Sequence, residues 1–109
     1  LLKLERWEQA EKQFRVLLQT DPTHAGGNQG MSEALRRQGK VSEAVRFARR
    51  AAHWSQWRDP EILVTLGEAY IAAQRNSDAR RTLDQALQFA TQGRPDLVAT
   101  IRTRLRQIQ

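Results

Sequence analysis

Apolar residues recur at three- and four-residue steps from one end of this chain to the other, the spacing that places them on one face of a helix. Trp7, Ala10, Phe14, Leu17 and Leu18 form the first stripe, and Val41, Ala44, Val45, Ala48, Ala51 and Ala52 form another. Leu63, Leu66, Ala69, Tyr70 and Ala73 repeat the pattern, followed by Ala79, Leu83, Ala86, Leu87 and Ala90, and then by Leu97, Ile101, Leu105 and Ile108. No segment alternates apolar with polar as a half-buried strand does, so the fold class is all-α. The breaks are as regular as the stripes. Asp21-Pro22 and Asp59-Pro60 each offer an N-cap with Pro at the first helical position, where its missing N–H costs nothing. Gly39 and Gly93 suit helix ends that need positive φ, and Asn76-Ser77-Asp78 supplies a cap with a first-turn acid. These marks predict helices near 6–20, 24–38, 41–54, 60–73, 76–91 and 95–108. The short connections make successive helices antiparallel.

Pairing the helices exposes a repeat. Ala10, Ala44 and Ala79 open the second helix of each pair at separations of 34 and 35 residues, Ala51 and Ala86 are 35 apart, and Gly39 aligns with Gln74. That is the tetratricopeptide period. Leu63-x-x-Leu66-Gly67-x-x-Tyr70 is similar to the first-helix motif of that family, with Leu63 where Trp is commonest. Ala10-x-x-x-Phe14 followed by Pro22 resembles its second-helix motif and closing Pro. The resemblance covers residues 1 to about 92. It implies antiparallel helix pairs stacked as a right-handed superhelix (an α-solenoid), closed by a C-terminal capping helix. A single domain over 1–109 then divides into a partial repeat at 1–23, a second repeat at 24–58, a third at 59–92 and the cap at 93–109. The first repeat keeps only about Leu1 to Leu4 of its first helix. The second carries Asn28, Met31, Ser32 and Leu35 at the signature positions, and the link Trp54-Ser55-Gln56-Trp57 is longer than usual. The chain opens Leu1-Leu2-Lys3-Leu4 without an initiator Met, and so reads as the C-terminal piece of something longer. Its many Arg and Gln and its Ala–Leu core are similar to those of bacterial tetratricopeptide arrays.

An enzyme fails on inventory. The 109 residues contain no cysteine, which removes thiolate metal sites and a cysteine nucleophile. His24 and His53 lie in or beside links, without carboxylates at ligand spacing, and read as surface histidines. Glu8 and Glu11 are followed by Lys12 and Arg15 at i+4, which is ordinary helix-surface pairing. Ala25-Gly26-Gly27-Asn28-Gln29-Gly30 fails both phosphate-loop patterns, since Ala25 replaces the first Gly of one and no strand precedes it. Close backbone packing explains these glycines better. We therefore expect no catalytic residue, metal or cofactor. No apolar run approaches the roughly 18–20 residues of a membrane span, which leaves cytoplasm and periplasm both open for a soluble chain.

Binding is the remaining class of function. A formal charge of +6 favours acidic partners. Between residues 75 and 109 seven arginines face three aspartates, but solvated helix faces account for them, and the aromatics Trp54 and Trp57 lie in another segment. Nucleic acid is thus the disfavoured alternative. For Trp54 and Trp57, core anchoring is favoured over partner contact, with partner contact following if either ring is exposed. The family resemblance implies a concave face that holds a peptide or a partner domain. Its repeat positions fall on Gln29, Glu33, Arg36 and Arg37 in the second repeat and on Val64, Glu68 and Ile71 in the third. Glu33 and Glu68 would repel a C-terminal carboxylate, so the expected partner is an internal segment of acidic or mixed charge. Trp7, Phe14 and Leu18, left partly uncovered, offer a third reading as a self-association surface.

Overall fold

A computed structural model describes the backbone of residues 2–108. Six helices follow one another: α1 (Leu2–Thr20), α2 (Ala25–Arg37), α3 (Val41–Trp54), α4 (Pro60–Ala72), α5 (Asn76–Ala90) and α6 (Pro95–Gln107). They match the periodic segments. The main departure is at the front, where Leu2–Leu4 continue α1 instead of forming the remnant of a preceding helix. Neither Gly nor Pro stands between Leu2 and Thr20 to interrupt the hydrogen-bond ladder. Leu1 and Gln109 lie outside the described residues. None of the described helices is long and apolar enough to cross a membrane.

The punctuation works, with two exceptions. Asp59 caps α4, its Oδ1 accepting from the backbone N–H groups of Glu61 and Ile62 at 3.0 and 3.3 Å. Asp21-Pro22 does not start α2. The cap there is His24, whose Nδ1 accepts from the Gly27 N–H at 2.7 Å, while Pro22 stays in the link. Asn76 is also not a cap, because α5 starts on it and Arg75 holds the flanking position. The reason is visible one repeat earlier. Gly39 and Gln74 both take left-handed φ, of 81° and 61°. The next N–H then returns to a carbonyl of the preceding helix, Lys40 to Leu35 at 2.9 Å and Arg75 to Tyr70 at 2.8 Å. This shared turn fixes where each second helix begins, whatever cap residue follows.

Each helix packs on its chain neighbours, and α4 also packs on both α2 and α6. The backbones of α1, α3 and α5 keep further apart, so the stack curves towards the α2–α4–α6 layer. The core runs between the layers through Met31, Leu35, Ala48, Leu63, Leu66, Leu83, Ala86 and Ile101, all fully buried. Small residues set the helix separations. A Cβ on Gly67 would lie 2.8 Å from Leu83 Cγ, and one on Gly30 would run into the Phe14 ring. Gly27 and Gly30 of α2 therefore serve close packing against α1. The poorly matched second repeat compensates with hydrogen bonds. Ser32, at the position where the motif has Gly67, is buried and donates to the Ala44 carbonyl at 2.7 Å. Asn28, 1% exposed, donates to the His24 carbonyl at 2.9 Å and to that of Pro22 at 3.2 Å. Buried polar groups satisfied in this way cost little.

Candidate functional site

The inner layer of first helices forms a depression of about 410 Å³, lined by Arg36 and Arg37 of α2, Glu68, Ile71 and Ala72 of α4, and Arg104 and Gln107 of α6. Four of the seven sequence-predicted groove residues, Arg36, Arg37, Glu68 and Ile71, converge there. The other three do different work. Glu33 stands beside the depression and takes both arginines, Arg36 at 2.8 Å and Arg37 at 3.0 Å. Gln29 is tied across the layer, donating to Thr65 Oγ1 at 3.1 Å. Val64 is only 6% exposed and belongs to the core, because α4 is the central helix and is covered on most sides.

Carboxylates position the guanidinium groups. Burial pushes the Glu33 carboxyl up, but the hydrogen bonds and charges of Arg36 and Arg37 more than offset it, and its pKa lies below the ordinary value. Arg37 also sits over the Trp7 ring at 5.3 Å, which links the site to α1. On the opposite wall Arg104 reaches back from α6 to Glu68 at 3.1 Å. Charge-assisted bonds of this kind hold an arginine fork in a fixed direction. Three guanidiniums with Glu33 and Glu68 leave the site weakly positive around the apolar floor of Ile71 and Ala72. Its guanidiniums can donate hydrogen bonds to the carbonyls and carboxylates of an extended segment.

Arg104 and Gln107 lie outside the groove positions expected from the sequence, because the family resemblance makes the last helix a cap alone. The register was available for one of them: Arg37, Ala72 and Gln107 stand 35 residues apart in succession. Trp54 and Trp57 correct the favoured reading of core anchoring, being 49% and 37% exposed. Trp57 sits in a left-handed turn with φ of 57°, and that turn lifts the link off the core. Trp7, Phe14 and Leu18 are each partly buried, with Phe14 seated against Gly30.

No curated protein matches this chain. Among solved structures it is similar to PcrH, crystallised in complex with the chaperone binding region of PopD, at a TM-score of 0.85 and 17% identity. That match covers 98% of this chain and 81% of the other. The family description that fits the sequence itself is the tetratricopeptide repeat, over residues 35–105. Its span takes in the 63–70 motif, the turns at Gly39 and Gln74 and most of α6, so the chain belongs to the tetratricopeptide repeat family.

Proposed function

We propose that this chain is a non-catalytic protein-interaction module whose concave face takes an internal peptide segment of acidic or mixed charge. The observation that carries the reading is the depression shared by α2, α4 and α6, where Arg36, Arg37 and Arg104 surround Ile71 and Ala72. An apolar side chain of the ligand would seat on Ile71, and flanking carboxylates or backbone carbonyls would meet the arginines. The similar fold of PcrH, solved with a binding region of PopD, supports a peptide or protein as the class of ligand. Glu68 at the wall disfavours a chain-terminal carboxylate.

Random peptides displayed on phage and selected on the parent chain test this. The selected sequences are expected to lose tenfold or more in affinity against Ile71→Asp and against Arg104→Glu, about the cost of one good anchor. Arg102→Glu, on the outer side of α6, should leave them unchanged. Selected peptides that ignore both groove variants would place recognition elsewhere.

A further inference from the structure

A second concavity lies on the opposite face, along α3. It is about 970 Å³, larger than the inner depression, and Arg46, Arg49, Arg50 and Arg75 line it together with Trp54 and Trp57. From Ala44 to Arg58 the sequence holds four arginines and no acid. Arg46, Arg49 and His53 fall at helical spacing on the exposed side of α3, opposite the buried Ala44–Ala48–Ala51 stripe. No carboxylate lines the groove. Among the described residues Arg46 and Arg49 have no acidic partner. Arg50 lies over the Phe47 ring at 5.0 Å, and Arg75 alone is paired, with Asp78 at 2.8 Å.

The 75–106 stretch, richer in arginine by count, is different. Arg81 is held by Asp78, Arg94 by Asp96 and Glu61, and Arg104 by Glu68. Four of its seven arginines are paired with carboxylates, whereas of the four that line the α3 groove only Arg75 is. Folding also removes the objection that arginines and tryptophans lie in separate segments, since it brings Arg75 to the groove that Trp54 and Trp57 close. Trp54 meets the His53 ring edge-on at 4.7 Å. The Trp57 backbone is fixed at both ends, its N–H donating to Ala52 O at 2.8 Å and its carbonyl accepting from Gln85 Nε2 at 3.2 Å.

We infer that the α3 groove binds single-stranded nucleic acid, with phosphates on the arginines and bases against the two indoles. A basic groove that carries exposed aromatic faces is what sequence-tolerant single-strand binding uses. Arginine forks match phosphate oxygens better than lysine does. A nucleic acid strand supplies phosphate and stacking base at every step, whereas a run of acidic side chains alone answers the charge and leaves the indole faces wet.

Fluorescence anisotropy with an oligothymidylate of about ten nucleotides tests this on the whole chain. Binding should weaken with salt, with a logarithmic slope of about −2 to −3 for three or four phosphate contacts. Arg46→Glu/Arg49→Glu should cost at least tenfold and flatten the slope by about 1.4. Trp54→Ala and Trp57→Asn, the latter chosen because Asn tolerates left-handed φ, should each cost about fivefold or more and leave the slope unchanged. Arg102→Glu/Arg106→Glu should change little. An absence of binding would overturn the inference. So would loss through Arg102 and Arg106 in place of α3, or equal binding of an oligoglutamate of matched charge, which would make the ligand an acidic protein segment.

Discussion

Gly67 and Leu83 show how one side chain sets a helix-pair distance. Leu83 is fully buried, and its Cδ2 and Cγ would stand 2.7 and 2.8 Å from a Cβ at Gly67. The branch point of a buried leucine cannot swing clear as a chain tip could, so the helices must part. Gly67→Ala is therefore expected to destabilise the fold by about 1–3 kcal/mol, although alanine favours an isolated helix by about 1 kcal/mol. Leu83→Ala alone should cost about 2–5 kcal/mol through the cavity it leaves. The double variant should lose less than the sum of the two, because the added methyl occupies vacated space. Urea unfolding followed by circular dichroism measures all three. A Gly67→Ala protein as stable as the parent would show that α4 and α5 are not in tight contact there.

Helix ends separate two Asp-Pro pairs that look alike in the sequence. Asp59 accepts two backbone N–H groups of α4 and Pro60 takes the first helical position, so each residue has a structural task. Asp21 stands three residues short of the α2 cap, and that cap is His24. Asp59→Ala should lower stability by about 1 kcal/mol, whereas Asp21→Ala should lie within about 0.5 kcal/mol of the parent. Comparison of the two thermal unfolding midpoints decides the matter. Equal losses would mean that the Asp-Pro pair acts through the unfolded chain and not as a cap. At the same scale, α3 and α5 begin without side-chain caps, directly after a turn that closes the preceding helix. Gly39 and Gln74 place the following N–H groups on Leu35 and Tyr70, which satisfies carbonyls that the preceding helices leave open.

Polar ties between distant parts of the chain make α1 answerable to the rest of the molecule. The Glu11 side chain, 12% exposed, takes Gln38 at 2.9 Å and Lys40 at 3.2 Å from the link between α2 and α3, and also Arg15 on its own helix. Burial pushes this carboxyl up, but the bonds from Arg15, Gln38 and Lys40 outweigh it and hold its pKa below the ordinary 4.5. Glu33 is lowered in the same way within the concave site. A carboxylate lowered in the folded state stabilises above its unfolded pKa, and that contribution disappears as pH falls through the folded value. Stability should thus decline on acidification below about pH 4.5. Glu11→Gln should be less stable at neutral pH and should lose less on acidification. Denaturant midpoints across that range check it, and an unchanged pH dependence would show that Glu11 makes no net contribution.

Much of this protein is legible in a single sequence because its contacts are local and periodic. Five stripes and the breaks between them place the six helices, and the 34- and 35-residue spacings pair them. The motif from Leu63 to Tyr70 pointed to the family. Arg36, Arg37, Glu68 and Ile71 followed from repeat register, since a position within a stacked pair nearly fixes the direction a side chain faces. Register says less about depth, and Val64 lies in the core because α4 is covered by neighbours on several sides. Nor could the sequence reveal how arginines divide between paired and unpaired, because Glu61 to Arg94 and Glu68 to Arg104 are contacts across more than 30 residues. Local composition therefore determined the helices, their order and the inner face. Only packing between helices decided which charges were answered and which tryptophans stayed in water, because both depend on neighbours that the chain brings together late.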